Sequence, residues 1–132
     1  MRYLLDTNVC VDYLNARFPG VAARLRSQNP EDLAVNSIVV AELRFGASES
    51  SRPEFNHRRV DLLLAEVPCL DFDIPAAAVC GDLRAALQRE GRPIAPYDLM
   101  IAAQALSRDQ VLVSDNLGEF RRVPLLREES WR

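Results

Sequence analysis

Short apolar segments alternate with longer amphipathic segments along the chain. Four of the apolar segments predict β-strands, and they lie at residues 1–7, 33–37, 68–73 and 111–115. A strand that is apolar at nearly every position is buried on both faces, which is typical of a parallel sheet covered by helices. The alternation of strands and helices therefore predicts an α/β fold.

Helix-starting and helix-ending residues mark the segments between these strands. Proline tolerates the first helical turn, so Pro19, Pro53 and Pro96 each predict a helix start. Ser37 is predicted as a helix N-cap, and Gly91 as the end of a long helix. The predicted helices cover residues 9–16, 19–28, 37–47, 53–67, 74–91 and 93–109. The elements predict one three-layer α/β/α domain, residues 1–132, around a central, mostly parallel sheet.

Composition removes several classes of chemistry. All 16 basic residues are arginines, which excludes mechanisms that need a lysine amine. The single histidine, His57, excludes a nuclease with two catalytic histidines and is expected at the surface. The three cysteines have no CxxC spacing, so neither disulfides nor a zinc site is predicted. The candidates that remain for chemistry are carboxylates.

Charge and hydropathy add little about partners. A net charge of −3 and a pI near 5.2 are not those of a basic nucleic-acid-binding domain. No segment approaches the roughly 18 to 20 apolar residues of a membrane span, and no signal-peptide core is present. We therefore expect a cytoplasmic protein without membrane contact.

Acidic side chains fall at predicted strand ends and helix starts. Asp6 ends the first strand and Asp115 follows the last one, while Asp98 lies in the first turn after Pro96. Because ligand sites in parallel sheets form at the carboxyl ends of the strands, these carboxylates are predicted to converge. Each also has a simpler interpretation, since Asp6 can cap the next helix and Asp98 can interact with its own helix dipole.

Glu42 is harder to explain as a capping residue. The helical pattern places it on an apolar face together with Ile38 and Phe45, where a carboxylate needs a partner. Several carboxylates without nearby basic residues in the sequence favour a bound divalent cation. An all-oxygen ligand set favours Mg²⁺ or Mn²⁺, and hence phosphate chemistry.

Other phosphate-binding folds lack their motifs here. There is no GxxxxGK[ST] and no GxGxxG. A haloacid-dehalogenase-like phosphatase needs Asp-x-Asp at the first strand end, where Asn8 takes the second place, and a receiver domain needs a lysine.

The chain resembles PIN-domain ribonucleases, and more narrowly VapC-type toxins of bacterial toxin–antitoxin pairs. The motifs are LLDTNV, SIVVAELRFGA, PIAPYDLMIAAQAL and VLVSDNLGEFRRVPLL, in family order and spacing. The resemblance implies a three-layer PIN-like fold and a Mg²⁺- or Mn²⁺-dependent endoribonuclease that cleaves single-stranded regions of tRNA or other structured RNA.

The resemblance also implies roles for individual residues. Asp6 and Asp98 become the metal ligands, Glu42 completes the acidic set, and the hydroxyls of Thr7 and Ser37 orient carboxylates. At the fourth acidic position, Ser114 replaces the usual threonine, Asp115 lies one place early, and Asn116 fills the usual slot. Whether Asp115 or Asn116 faces the metal stays open. The catalytic set implied is Asp6, Glu42, Asp98 and Asp115.

Partners follow from the same resemblance. It implies a VapB-like antitoxin whose basic side chain approaches the carboxylates, an RNA substrate, and a homodimer. Candidate phosphate contacts are the arginines Arg44, Arg84, Arg92, Arg121 and Arg122. Two alternatives are a catalytically silent PIN fold that binds RNA or regulates, and an RNA-processing nuclease without an antitoxin.

Overall fold

A five-stranded sheet runs through the middle of the protein. The computed structural model describes residues 1–132. The strands are β1 (Tyr3–Leu5), β2 (Leu33–Asn36), β3 (Cys69–Leu70), β4 (Val111–Val113) and β5 (Arg127–Glu129). Every neighbouring pair is parallel, in the order β3-β2-β1-β4-β5. The predicted α/β/α fold is confirmed, with a sheet that is parallel throughout.

The chain reverses its direction across the sheet between β1 and β4. From β1 it proceeds outward through β2 to β3, and then it returns to β4 and continues to β5. Leu5 lies opposite Val113, so the two central strands end side by side. Such a switch point at the carboxyl ends of parallel strands is where open α/β sheets bind ligands. Asp6 and Ser114, the next residues of the chain, lie at this point.

Helices occupy most of the remaining chain. They are α1 (Thr7–Leu14), α2 (Pro19–Ser27), α3 (Ser37–Glu49), α4 (Pro53–Glu66), α5 (Ile74–Arg89), α6 (Pro96–Ser107) and α7 (Leu117–Phe120). The predicted helix starts at Pro19, Pro53 and Pro96 are confirmed. In the layers, α3 packs on α4 and α5 packs on α6.

The N-cap of α3 differs from the prediction. Asn36 caps this helix, because its side-chain oxygen accepts a hydrogen bond from the N–H of Val39 at 3.0 Å. Ser37 is the first helical residue instead. Both residue types are good caps, and the position of the last β2 residue decides between them.

Strand β5 and helix α7 were absent from the sequence prediction. The sequence of β5 is Arg-Glu-Glu, without the apolar run that indicates a buried strand. β5 lies at the edge of the sheet and pairs only with β4, so it needs no apolar residues on both faces. A search for apolar runs does not detect a partly solvated edge strand of this kind.

One cluster of 27 buried residues forms the core around β1, β2 and β4. On α3 the residues that face it are Val39, Leu43 and Ala47. The face that Glu42 shares with Ile38 and Phe45 lies at the border of the core, because Ile38 packs against the core while Phe45 is 68% exposed. No helix combines the length and the apolar character needed to cross a membrane.

Candidate functional site

Asp6 lies at the centre of the switch point. Its N–H donates to the carbonyl of Val113 at 3.1 Å, which ties the turn after β1 to the end of β4. Its side chain caps α1 by accepting the N–H of Val9 at 3.0 Å. Only 4% of the residue is exposed. Capping and a central position in the crevice therefore occur together, and neither interpretation excludes the other.

The electrostatic environment of Asp6 is unfavourable for its charge. Burial raises the pKa of the Asp6 carboxyl to about 6, and the charges of Asp115 and Glu42 act in the same direction. Hydrogen bonds from the Ser114 hydroxyl and the Val9 N–H oppose the rise. A carboxylate kept this close to two others is one that a cation would stabilise.

Glu42 joins the group from α3. The hydroxyl of Thr7, the first residue of α1, donates to Glu42 Oε1 at 2.5 Å. Glu42 is half-buried, so this bond gives its carboxylate a defined orientation. The contact links the turn after β1 to α3 and holds two of the predicted site residues together.

Asp98 enters from the first turn of α6 and contacts Glu119 of α7. The pKa of Asp98 is raised to about 7, and burial is the largest cause. The hydrogen bond to Glu119 and the charges of Glu119, Glu42 and Asp6 raise it further. The Asp98 carboxyl therefore holds a proton more readily than Glu119 does. The charge of Glu42 acts on both Asp98 and Asp6, and the charge of Asp6 acts on Asp98, so the three carboxylates lie together.

Glu119 is a site residue that sequence reasoning missed. It accepts the N–H of Ala95 at 2.8 Å and the side-chain amide of Asn116 at 2.6 Å. Although burial opposes the change, these bonds and the one with Asp98 lower the pKa of Glu119. The sequence did contain a signal for Glu119: it is a carboxylate in the short segment after β4, and that segment begins at the same sheet edge as the other site residues. We call Asp6, Glu42, Asp98 and Glu119 the acidic cluster.

Asp115 lies beside this cluster but has a basic partner. Arg132 Nη1 is 2.7 Å from Asp115 Oδ2. The basic partner of Asp115 is remote in sequence, so a search for basic residues near the carboxylates in the sequence does not find it. The second oxygen, Oδ1, is buried without a hydrogen-bond partner.

Three other predicted residues make contacts of different kinds. The N–H of Asn116 donates to the Ser114 hydroxyl at 2.9 Å, while the Asn116 amide supports Glu119. Ser114 itself is fully buried against Asp6. The Ser37 hydroxyl instead accepts the N–H of Phe72 at 3.0 Å, which ties α3 to the turn after β3.

The candidate RNA-binding arginines are spread over the surface. Arg122 donates to the Pro93 carbonyl at 2.9 Å and so braces the loop before α6. Arg84, Arg92 and Arg121 are exposed. Arg44 is committed elsewhere, because it pairs with Asp61 at 2.5 Å across the α3–α4 contact.

The only histidine is outside the acidic cluster. The His57 ring lies 3.0 Å from the Ser48 hydroxyl and 3.2 Å from Arg44 Nη1. In a Ser-His-Asp triad a carboxylate orients the imidazole, whereas here a guanidinium occupies that place. The Ser48–His57 contact therefore lacks the acid of a hydrolytic triad.

The donor set fits a hard divalent cation. All four members of the acidic cluster offer carboxylate oxygens, and burial and mutual repulsion raise the pKa values of Asp6 and Asp98. No group of three or more Asp, Glu, His or Cys side chains lies close enough together to hold a metal ion. Mg²⁺ commonly uses one or two carboxylates and keeps several waters, so a partial protein ligand set is what it requires.

Comparisons with known proteins give a consistent match. The PIN domain family matches residues 3–126. The tRNA(fMet)-specific endonuclease VapC of Shigella flexneri is 37% identical over 131 residues, which are 99% of this chain and 98% of the relative. The DNA-bound VapBC structure from Salmonella typhimurium has a TM-score of 0.95 and 38% identity, covering 100% of this chain and 99% of that one. VapBC2 from Rickettsia felis, bound to a promoter DNA fragment, has a TM-score of 0.93 and 34% identity, with 100% of both chains covered.

Proposed function

Since the chain belongs to the PIN-domain family, we propose that it is a metal-dependent endoribonuclease toxin of a VapBC-type toxin–antitoxin pair. The observation that carries the proposal is the acidic cluster at the switch point of the sheet. Asp6 and Asp98 come from different elements; the charge of Glu42 acts on both, and the charge of Asp6 acts on Asp98. Retention of all three acidic positions favours an enzyme over a silent binding module.

Each member of the cluster has a proposed role. Asp6 and Asp98 would hold the cation, for which their oxygen ligands favour Mg²⁺ or Mn²⁺. When bound, such a cation lowers the pKa of a water and stabilises negative charge on the scissile phosphate. Glu42, oriented by the Thr7 hydroxyl, accepts the proton of the attacking water. Glu119 keeps Asp98 in place and adds negative charge to the cluster.

The proposed substrate is a single-stranded region of structured RNA, such as a tRNA loop. Phosphate contacts from arginine would bring the backbone to an otherwise acidic crevice. Arg122 braces the loop before Asp98, and Arg92 lies exposed in the same loop. Arg84 and Arg121 remain candidates for the outer contacts. We propose a cytoplasmic location, because the proposed substrate is a cellular RNA.

The proposed partner is a VapB-like antitoxin. A cavity of about 260 Å³ between α1, α3 and α4 begins at Glu42 and has an apolar wall. Its lining includes Val11, Leu14, Leu43 and Val60. An antitoxin tail with apolar side chains could lie there and present an arginine to the acidic cluster. We also propose a homodimer, which light scattering of the purified chain would test.

Cleavage of total cellular RNA by the purified protein tests the enzymatic proposal. The reactions contain Mg²⁺, Mn²⁺ or EDTA, and parallel reactions contain the Asp98→Asn variant. We expect discrete fragments that need the metal and disappear with the variant. Metal-independent fragments, or full activity of the variant, would contradict the assignment. RNA that binds the protein but is never cut would favour the silent module.

A further inference from the structure

Arg132 makes three kinds of contact beside the acidic cluster. Its guanidinium forms a two-point contact with Asp12, with Nε 2.9 Å from Oδ2 and Nη2 3.3 Å from Oδ1. Nη1 lies 2.7 Å from Asp115 Oδ2. The same group stacks over the ring of Phe18, with Cζ 4.0 Å from the ring centroid. Two carboxylates and one aromatic face thus fix both the position and the plane of the guanidinium.

Asp12 gives this arrangement its anchor. It lies on α1, its side chain is 4% exposed, and its carboxylate hydrogen-bonds only to Arg132. A buried carboxylate without a partner is unfavourable, so the Asp12–Arg132 pair resists separation. Arg132 is therefore held where it is, and it is not a freely moving surface side chain.

The fixed position of Arg132 limits what Asp115 can bind. This residue is close enough to Asp6 for its charge to affect Asp6, so it is within the electrostatic range of the cluster. One of its oxygens is already bonded to a guanidinium, which competes directly with a cation for the same lone pairs. Its other oxygen is buried and has no hydrogen-bond partner.

We infer that Arg132 is a positioning residue that withholds Asp115 from the metal, leaving Asp6 and Asp98 of the acidic cluster to bind it. The inference rests on the proposed metal-dependent function. It assigns Asp115 a different role from the other carboxylates, although it directly follows the strand beside β1. It also explains how five acidic groups can lie near one sheet edge, because the charge of one of them is compensated.

A thermodynamic cycle on Mn²⁺ affinity tests the inference. Because Asp12 anchors Arg132, the two proteins that keep Arg132 also keep Asp12, and the two that lose Arg132 carry Asp12→Asn so that no buried carboxylate is left unpaired. The four proteins are the unaltered chain, D115N, D12N/R132Q and D12N/R132Q/D115N. Mn²⁺ binding is measured by isothermal titration calorimetry, and thermal melting in EDTA verifies that each variant is folded.

We expect Asp115→Asn to have little effect in the presence of Arg132 and a large effect in its absence. With Arg132 present, Asp115→Asn changes the Mn²⁺ affinity by less than about twofold. Asp12→Asn/Arg132→Gln tightens Mn²⁺ binding by at least about fivefold, because Asp115 becomes free to bind the cation while the net charge of the protein stays the same. Adding Asp115→Asn to this pair of substitutions removes the gain. An ion pair that does not act through Asp115 would give the same change with and without Asp115.

Two results would overturn the inference, and a third would overturn the proposed metal centre instead. If all four proteins bind Mn²⁺ but Asp12→Asn/Arg132→Gln has the same effect with and without Asp115, Arg132 does not act through Asp115. If Asp115→Asn already weakens binding strongly in the presence of Arg132, Asp115 is a direct ligand. If no folded protein of the cycle binds Mn²⁺, the proposed metal centre itself is wrong.

Discussion

Asp6 and Asp115 follow neighbouring strands, yet the surroundings of their charges differ. Asp6 has no cationic side chain bonded to it, and burial together with two nearby carboxylates raises its pKa to about 6. Asp115 lies 2.7 Å from a guanidinium that is also bonded to Asp12. The first environment is suited to a cation from solution, and the second already contains its own cation. Proximity to the sheet edge alone thus does not make a carboxylate a metal ligand.

The largest expected effect comes from removing charge at the acidic cluster. Asp6→Asn and Asp98→Asn should each lower the RNA cleavage rate by more than about a hundredfold, beyond the loss typical of supporting residues. The melting temperature in EDTA should stay the same or rise, because one repelling charge is gone. Gel assays and thermal melts measure both quantities. Asp82→Asn on the exposed side of α5 is the matched control and should match the unaltered protein in both assays.

A smaller loss is expected from the group that orients Glu42. Thr7→Val keeps the side-chain shape but removes the hydroxyl that donates to Glu42. Cleavage should fall by about tenfold, since a supporting hydrogen bond is lost while the acidic groups remain. Thr7→Ser retains the donor and should recover most of the rate. Equal rates for the valine and serine variants would show that the hydroxyl does not act through Glu42.

Substitutions at the ion pairs of Arg132 should change the stability of the protein. Arg132→Gln leaves the Asp12 carboxylate buried without its partner, so the melting temperature should fall by at least about 4 °C. The double variant Asp12→Asn/Arg132→Gln removes the unpaired charge and should recover most of this loss. Differential scanning calorimetry compares the two. A double variant no more stable than Arg132→Gln would argue against the ion pair as the stabilising contact.

The smallest expected effect is a pH dependence of stability that arises from Asp6 and Asp98 and not from the Asp115–Arg132 pair. Asp6 and Asp98 have ordinary pKa values of 3.8 that are raised to about 6 and about 7 in the folded protein. The folded state therefore binds more protons than the unfolded chain between pH 4 and 7. Their contribution to the free energy of unfolding is fully present at lower pH and is lost as pH rises through this window.

Thermal melts in EDTA across that window measure the effect. Asp6→Asn/Asp98→Asn should show a weaker decline with rising pH than the unaltered protein. Mn²⁺ affinity should increase over the same range, because the two carboxyls must lose protons to bind the cation. An affinity independent of pH would contradict the role of these two groups as ligands.

Much of the fold was predictable because its signals are local. Three helices begin at a proline, and the two central strands are short apolar runs that end at polar residues. The convergence of Asp6, Glu42 and Asp98 also followed from general rules, since the ends of parallel strands and the starts of the next helices share one edge. The predicted cap at Ser37 failed by one residue because its neighbour Asn36 is an equally good cap.

Amino-acid order by itself determined the alternation of strands and helices, the parallel sheet and the carboxylates that end its central strands, because backbone propensity and burial act over a few residues. Tertiary structure alone decided which of those carboxylates are compensated. Arg132 lies 120 residues from Asp12 in the chain, and Glu119 supports Asp98 from a different helix. Edge strand β5 likewise exists because β4 offers it hydrogen bonds, and not because its own residues favour a strand. Electrostatic pairing depends on distances in space, and those distances are set only when the sheet assembles.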